Sequence, residues 1–257
     1  MTKIIAVTNQ KGGVGKTTTT INLAAALADA GKNILLVDID PQGNATSGSG
    51  VNKELIEASM YDVITGDKEI SDIIMPSAQE NMSVAPSNIQ LAGAEISLVG
   101  MLSREYVLKG KLDNARKSYD YIFIDCPPSL GLLTLNALAA SDAVLVPIQC
   151  EYYALEGLTQ LMSTVRLVKQ RLNPGLEIDG VLLTMYDART NLSAQVVSEV
   201  RKFFKDKVYK SIIPRNVRLS EAPSHGLPIT MYDNRSTGAE AYRALAAEFL
   251  KWNGGEA

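Results

Sequence analysis

The chain has 257 residues, of which 46% are hydrophobic and 21% are charged, a composition typical of an ordinary globular protein. No apolar run is long enough to cross a bilayer, and the first residues lead directly into a strand, so we expect neither a signal peptide nor a membrane span. Cys126 and Cys150 are the only cysteines and lie in apolar stretches, which excludes a disulfide framework and favours a reducing cytoplasm.

The formal net charge of −3 argues against a nucleic-acid partner, but the charges are unevenly distributed. Residues 166–218 hold eleven Lys/Arg and five Asp/Glu, whereas the rest of the chain holds 14 basic and 23 acidic residues. This asymmetry permits a basic face on an acidic protein. From charge alone, an ordinary solvated helix face is the favoured explanation.

The first elements in chain order form a strand–turn–helix–strand unit. Lys3–Thr8 is a short β-branched run and predicts a buried strand, and a glycine-rich turn follows it. The apolar periodicity of Thr17–Ala30 predicts a helix that Gly31 ends, and Asn33–Asp38 predicts a second buried strand. Such a unit implies two parallel strands joined by a right-handed crossover.

The same alternation recurs along the chain and predicts an α/β fold, with a mostly parallel twisted sheet covered by helices on both faces. Between residues 43 and 104 the pattern is weaker and indicates loops, short helices and one possible strand at Met82–Ala85. We see no repeat or linker, so we expect a single domain over residues 1–257, with no helix-turn-helix before the first strand. The later predicted strands are Tyr121–Asp125, Ala143–Ile148, Ile178–Thr184 and Val208–Ile213, and the later predicted helices are Leu130–Ala140, Gly157–Leu172, Leu192–Phe204 and Thr237–Trp252.

The turn after the first strand carries the strongest chemical signal, Lys11-Gly12-Gly13-Val14-Gly15-Lys16-Thr17-Thr18. Glycines let successive backbone N–H groups point inward at phosphate oxygens, and the following helix adds the partial positive charge of its N-terminus. Lys16 has the length to reach the β- and γ-phosphates, and the Thr17 hydroxyl is suited to a magnesium ion. The strand before the loop and the helix after it make a chance glycine-rich turn improbable.

Acidic residues follow two of the predicted strands. Asp38 and Asp40 come at the end of the second strand and share a face by the period of two, and Asp125 ends the strand that begins at Tyr121. Carboxylates at the C-terminal ends of parallel strands hold a magnesium-bound water or orient an attacking water. For Asp38, a turn cap before the proline is the alternative role. Asp125 is expected in the outer shell of the magnesium ion.

The glycine-rich loop departs from the common phosphate-binding pattern, because Gln10 replaces its first glycine and an extra lysine, Lys11, follows. This form resembles the deviant Walker A loop of the ParA/MinD class of P-loop ATPases, and the residues 38–44 resemble the second motif of that class. Residues 149–157 and 214–226 closely resemble chromosomal ParA proteins of the Soj type. The resemblance runs from about Lys3 to about Leu250.

The resemblance implies that the nucleotide is ATP with Mg²⁺, and that ATP joins two subunits face to face. Lys11 would then reach the nucleotide of the partner subunit, and Asp40 would position the attacking water. Pro214 and Asn216 would lie against the adenine. The nucleotide-binding set is therefore Lys11, Gly12, Gly13, Val14, Gly15, Lys16, Thr17, Thr18, Pro214 and Asn216, the magnesium set is Thr17, Asp40 and Asp125, and the catalytic set is Lys11, Lys16 and Asp40.

The resemblance also implies a DNA-segregation ATPase, cytoplasmic and nucleoid-associated, whose dimer binds double-stranded DNA without sequence preference. Arg189 and Arg218 match the arginines that contact DNA in Soj-like proteins, and nearby lysines would extend the patch. A ParB-type centromere-binding partner would stimulate a slow intrinsic hydrolysis. With the resemblance, DNA binding replaces the solvated face as the favoured explanation of the basic region.

Two alternatives share the loop. A membrane-cycling regulator of the MinD type needs a basic amphipathic C-terminal helix, but the chain ends with one lysine, two glycines and an acid, so we expect no stable membrane association. Trp252 and Phe249 keep that alternative open. A redox enzyme of the nitrogenase-iron-protein type needs two cluster cysteines per subunit. We expect Cys126 and Cys150 to be buried thiols instead, and His225 to be structural.

Overall fold

The computed structural model describes residues 2–151 and 154–254, and for residues 154–159 it describes the backbone alone. Eight strands form one sheet in the order β3-β4-β2-β5-β1-β6-β7-β8, and every neighbouring pair is parallel except β3 with β4. This confirms the predicted mostly parallel sheet. The strands are β1 Lys3–Val7, β2 Ile34–Asp38, β3 Met75–Pro76, β4 Met82–Ala85, β5 Tyr121–Asp125, β6 Ala143–Gln149, β7 Glu177–Tyr186 and β8 Val208–Pro214.

Helices cover both faces of the sheet. On one face α3 to α8 build a core, and on the other face α1, α2, α9, α10 and α11 build a second core. The helices are α1 Lys16–Asp29, α2 Asn44–Gly48, α3 Met60–Thr65, α4 Leu91–Val99, α5 Val107–Ala115, α6 Leu132–Ala140, α7 Ala154–Arg171, α8 Asn191–Phe204, α9 Val217–Glu221, α10 Ile229–Tyr232 and α11 Thr237–Asn253. Among the described residues, no helix has both the length and the apolar character needed to cross a membrane.

The strand residues divide between the two cores by the period of two. In β5, Ile122 and Ile124 belong to the core under α3 to α8, whereas Tyr121 and Phe123 belong to the core under α1 and α11. Because both faces are covered, the strands consist almost entirely of apolar residues rather than alternating apolar and polar ones. Burial on both faces of the sheet therefore explains the continuous apolar runs in the sequence.

The weakly patterned region between residues 43 and 104 contains more structure than expected. The possible strand at Met82–Ala85 is confirmed, but β3 beside it is antiparallel, only two residues long and too short to give a periodic signal.

Several later elements have different ends from those predicted. Helix α7 begins at Ala154 rather than at Gly157, and α6 begins two residues later than expected because the extended Gly131 precedes it. Strand β7 runs to Tyr186, beyond the expected end at Thr184.

Candidate nucleotide-binding site

The glycine-rich loop joins the end of β1 to the start of α1. Gly13 and Gly15 have φ angles of 72° and 87°, in the left-handed region that favours glycine, and Gly15 directly precedes the helix. No side chain caps the N-terminus of α1, so the first amides of this helix are available to an anion. This geometry fits a phosphate group.

Lys16 is the first residue of α1 and is only 6% exposed. Its Nζ donates to the carbonyl oxygen of Lys11 at 3.3 Å, and it forms no ion pair with any side chain that the structure describes. Burial lowers the pKa of Lys16 even though Asp125 acts in the opposite direction. A buried ammonium group with one long hydrogen bond is suited to an anionic ligand, such as a phosphate.

Asp125 ends β5 and contacts two hydroxyl groups of α1. Its Oδ2 accepts a hydrogen bond from Thr17 Oγ1 at 2.8 Å, and its Oδ1 accepts one from Thr20 Oγ1 at 2.8 Å. Burial, followed by the charge of Asp38, raises the pKa of Asp125 to about 8. A cation beside the Thr17 hydroxyl would favour the ionised carboxylate, so this pair fits a magnesium ion held by Thr17 with Asp125 behind it.

Asp38 and Asp40 have different surroundings although they are two residues apart. Asp38 is fully buried and accepts hydrogen bonds from the backbone N–H and hydroxyl of Thr46 at 2.8 and 2.7 Å, and burial raises its pKa to about 6. Asp40 instead lines the cavity beside the loop, where its Oδ1 accepts from the backbone N–H of Gln42 at 2.9 Å. The sequence predicted a shared face for the two residues, but Asp38 holds the segment after β2 through Thr46, whereas Asp40 lines the cavity.

Two neighbouring cavities lie at the carboxyl ends of the strands. One, of about 350 Å³, is bounded by the glycine-rich loop, and the other, of about 370 Å³, lies towards the end of β8. They share three residues, Gly15, Thr18 and Met185. Their side-by-side arrangement suits a molecule with a phosphate part and an apolar part, which is the shape of a nucleotide.

The two residues expected at the adenine line the second cavity. Pro214 ends β8, and Asn216 follows it and caps α9 by accepting from the backbone N–H of Arg218 at 2.8 Å. The Asn216 Nδ2 group also donates to Thr237 Oγ1 at 2.8 Å. The structure therefore brings the loop at residues 11–18, Asp40, Asp125, Pro214 and Asn216 to one edge of the sheet.

Two further residues of this site were not predicted from the sequence. Thr184 donates from Oγ1 to the carbonyl oxygen of Val14 at 2.8 Å and so holds the glycine-rich loop against β7. Met185 lines both cavities and has a φ angle of 51°. The one signal in the sequence is a threonine directly after the apolar residues 181–183 of this strand. Because the contact spans 170 residues, no local pattern predicts it.

The two arginines expected to contact DNA lie after adjacent strands. Arg189 follows β7 and is 85% exposed, and Arg218 follows β8 and is 54% exposed. Arg189 donates to both carboxylate oxygens of Asp187 at 2.9 and 2.7 Å, which lowers the pKa of Asp187 well below its ordinary range. Arg218 pairs with Glu221 at 2.9 Å. Both guanidinium groups are exposed and already have an acidic neighbour.

Both cysteines are buried, and the histidine packs against an aromatic ring. Cys126 and Cys150 are buried, and burial raises the pKa of both thiols, that of Cys150 to about 12. This confirms the expectation of buried thiols. The His225 ring stacks on Tyr232, with 4.9 Å between the ring centroids.

Comparison with known proteins identifies the family. Residues 2–178 match the model of the AAA domain family. The chain is 65% identical over 248 residues to the sporulation initiation inhibitor protein Soj of Bacillus subtilis, covering 96% of this chain and 98% of that protein. It is 55% identical over 249 residues to the chromosome partitioning protein ParA of Myxococcus xanthus, covering 97% and 88% of the two chains. The chain belongs to the ParA/Soj family.

A solved structure extends this comparison. Cobyrinic acid a,c-diamide synthase of Mycobacterium smegmatis superposes with a TM-score of 0.87 at 40% identity and covers 100% of this chain and 97% of its own. That protein was solved with ADP and magnesium, and also with an ATP analogue and magnesium. The ParA/Soj resemblance seen in the sequence is confirmed, and the expected ATP and magnesium agree with the ligands of this structural neighbour.

Proposed function

We propose that this chain is a DNA-segregation ATPase that binds ATP with magnesium, dimerises and holds DNA until hydrolysis. The observation that carries the proposal is the contact of Thr17 with Asp125 beside the buried Lys16, in a chain that is 65% identical to Soj. It is also supported by the second cavity, which is large enough for a nucleoside beside the phosphate loop.

Each residue of the loop has a distinct part in the proposed reaction. The amides of Gly12, Gly13, Val14, Gly15 and Thr18 hold phosphate oxygens, and Lys16 neutralises their charge. Thr17, Asp125 and Asp40 would hold the magnesium ion, which would neutralise phosphate charge during phosphoryl transfer. Asp40 orients the water that attacks. Pro214 and Asn216 contact the adenine.

We propose that ATP joins two copies of the chain through their loop faces. Lys11 is half-buried, and its backbone N–H donates to Asn9 Oδ1 at 3.0 Å. This hydrogen bond holds the backbone of Lys11 in place at the start of the loop. In the dimer, Lys11 acts as a positive charge on the partner's phosphates. ADP lacks the γ-phosphate and therefore attracts the Lys11 ammonium group less strongly than ATP does. The dimer consequently separates after hydrolysis.

The dimer binds double-stranded DNA through phosphate contacts from Arg189 and Arg218. Both are exposed and follow neighbouring parallel strands, so they lie at the same edge of the sheet as the nucleotide. Contacts to phosphates carry no base information, which predicts binding to any sequence and a steep dependence on salt. A ParB-type partner would stimulate the slow hydrolysis, and the protein would be cytoplasmic and associated with the nucleoid.

The MinD-type alternative loses support from the packing of α11. Phe249 is fully buried, with its ring centroid 5.1 Å from that of Tyr121, and Trp252 stacks on Tyr209 at 4.2 Å. The two aromatic residues that kept a membrane role open are therefore engaged in the fold.

A gel-shift experiment on random-sequence DNA tests the proposal. We expect binding with ATP, much weaker binding with ADP or without nucleotide, and a loss of roughly 1,000-fold or more between 50 and 200 mM salt if six or more phosphates are contacted. Binding that ignores both the nucleotide and the salt concentration would contradict the proposed function.

Two matched variants locate the DNA contact. Arg189→Glu should abolish the ATP-dependent shift while the ATP-driven dimer still forms in size-exclusion chromatography. Lys117→Glu makes the same charge change at an exposed site just before β5, at the opposite edge of the sheet, and should bind DNA normally. Equal DNA binding by the two variants would place the contact elsewhere.

A further inference from the structure

The last residues of β7 have an irregular backbone beside the nucleotide site. Leu183 pairs with Ile212 of β8 and Tyr186 pairs with Pro214, so β7 holds one more residue than β8 over this interval. Within it, Met185 has a φ angle of 51°, a left-handed conformation that is strained for a residue with a side chain. Bulges and strained residues cluster at functional sites.

The strained conformation of Met185 is held from both sides. Before it, the carbonyl oxygen of Thr184 accepts from the backbone N–H of Cys150 at 3.0 Å, and its hydroxyl donates to Val14 in the glycine-rich loop. After it, the carbonyl oxygen of Tyr186 accepts from the backbone N–H of Arg215 at 2.9 Å. The surrounding structure therefore fixes the bulge, and Met185 lines both cavities.

The same segment leads directly to Arg189 and is hydrogen-bonded to the residue that follows β8. Asp187, two residues after Met185, accepts from both the backbone and the guanidinium of Arg189. The hydrogen bond from Arg215 to Tyr186 connects the bulge to the segment that leads into α9, which contains Arg218. Short stretches of backbone therefore connect Met185 to both exposed arginines.

We propose that Met185 couples the nucleotide to the DNA-binding edge: a bound nucleoside contacts its side chain where the cavities meet, and the bulged backbone passes this contact to Arg189 and Arg218. This inference rests on the proposed function, because it requires that ATP and DNA both bind. Met185 acts as a positioning residue and takes no part in the chemistry of hydrolysis.

The test compares Met185→Gly with Met185→Leu. Glycine relaxes the left-handed backbone and removes the side chain, whereas leucine keeps an apolar side chain of similar volume. For each chain, affinity for random-sequence DNA is measured without nucleotide and at saturating ATP, and ATP affinity is measured separately by titration. Thermal melting verifies that each variant is folded.

We expect Met185→Gly to lower the ratio of DNA affinity with ATP to that without it by roughly tenfold, within the usual range of coupling between two sites. Its ATP affinity should fall by about fivefold through the lost apolar contact, which corresponds to about 1 kcal/mol. Met185→Leu should keep both values close to those of the original chain.

Asn81→Gly is the matched control, since Asn81 also has a left-handed backbone, with a φ angle of 60°, but precedes β4 at the other edge of the sheet. It should leave the affinity ratio unchanged. Met185→Asn, with a residue type that tolerates this conformation, gives a second test should the glycine variant fold poorly.

The outcomes separate the inference from the proposed function. An unchanged affinity ratio in Met185→Gly and Met185→Asn overturns the coupling role, as does an equal fall in Asn81→Gly. If ATP fails to strengthen DNA binding in the unmodified chain, the proposed function is wrong. The nucleotide contact of Met185 is then judged from ATP affinity alone, and equal affinity in the glycine and leucine variants overturns it.

Discussion

Lys11 and Lys16 are five residues apart in one loop but have different surroundings. The Lys16 ammonium group is buried and donates to the carbonyl oxygen of Lys11, whereas Lys11 itself is only half-buried. A buried charge has a large effect on a ligand because water screens it little. This difference agrees with the proposed roles, in which Lys16 binds the nucleotide of its own chain and Lys11 contacts that of a second chain.

Alanine substitutions separate these two roles. Lys16→Ala should weaken ATP binding by roughly 100-fold, because it removes charge-assisted hydrogen bonds to phosphate. Lys11→Ala should bind ATP with nearly unchanged affinity but fail to dimerise. Titration with ATP and size-exclusion chromatography measure the two effects. Undiminished ATP affinity in Lys16→Ala would refute the assignment of the loop.

The Cys150 thiol provides a residue-level test of pH dependence. Because burial raises its pKa from 9.0 to about 12, the Cys150 thiol stays protonated at pH 8 in the folded chain. Iodoacetamide should therefore label Cys150 at pH 8 only after denaturation, as mass spectrometry can measure. Because the folded pKa is raised, the stabilising contribution of this thiol is present below about pH 9 and decreases as the pH rises towards about 12. Rapid labelling of the folded chain would show that the site is open.

At the scale of elements, β7 connects the glycine-rich loop with the exposed arginines. Its Thr184 holds Val14 through a hydrogen bond, and its carboxyl end leads to Asp187 and Arg189. The sequence predicted this strand only as far as Thr184, so Met185 and Tyr186 lay outside the predicted strand. Strand periodicity predicts burial, but it does not predict a bulge or a hydrogen bond to a distant loop.

Thr184→Val tests the connection between strand and loop with little change in side-chain volume. It leaves the buried carbonyl oxygen of Val14 without this donor, so we expect a loss of about 1–3 kcal/mol in the free energy of unfolding and weaker ATP binding. Thr164→Val is the control, because Thr164 donates to the carbonyl oxygen of Gln160 within its own helix, α7, on the surface. Urea denaturation and ATP titration should distinguish the two variants, and equal effects would contradict a specific role of Thr184.

At the scale of the whole molecule, α11 closes the core over one face of the sheet. Phe249 is fully buried against Tyr121 and Phe123, at 5.1 and 5.7 Å between ring centroids, and α11 also contacts α1, which begins at the nucleotide loop. The C-terminal helix therefore belongs to the same packed unit as the phosphate site. Its removal or loosening should affect the stability of the entire sheet.

Phe249→Ala should lower the free energy of unfolding by about 3–5 kcal/mol, since it leaves a large cavity in a closed core. Trp252→Ala is a useful comparison, because Trp252 is 39% exposed and should cost less. Urea denaturation of both variants provides the measurement. A larger loss in Trp252→Ala than in Phe249→Ala would show that the helix is held mainly by its last turn.

Features that depend on neighbouring residues could be predicted from the sequence. The strand–loop–helix unit around Lys16, the apolar strand ending at Asp125 and the two-sided burial of the sheet all follow from local spacing and the period of side chains. The motifs at residues 11–18 and 38–44 are local as well, and they were sufficient to indicate the ParA/MinD class.

The meeting of distant residues, in contrast, depends on the tertiary structure. The fold placed Thr17 against Asp125 across 108 residues, separated the buried Asp38 from the cavity-lining Asp40, and added Thr184 and Met185 to the site. The reason is physical: hydrogen bonds and cavities depend on how strands are ordered in the sheet, and strand order brings together residues that no local pattern relates.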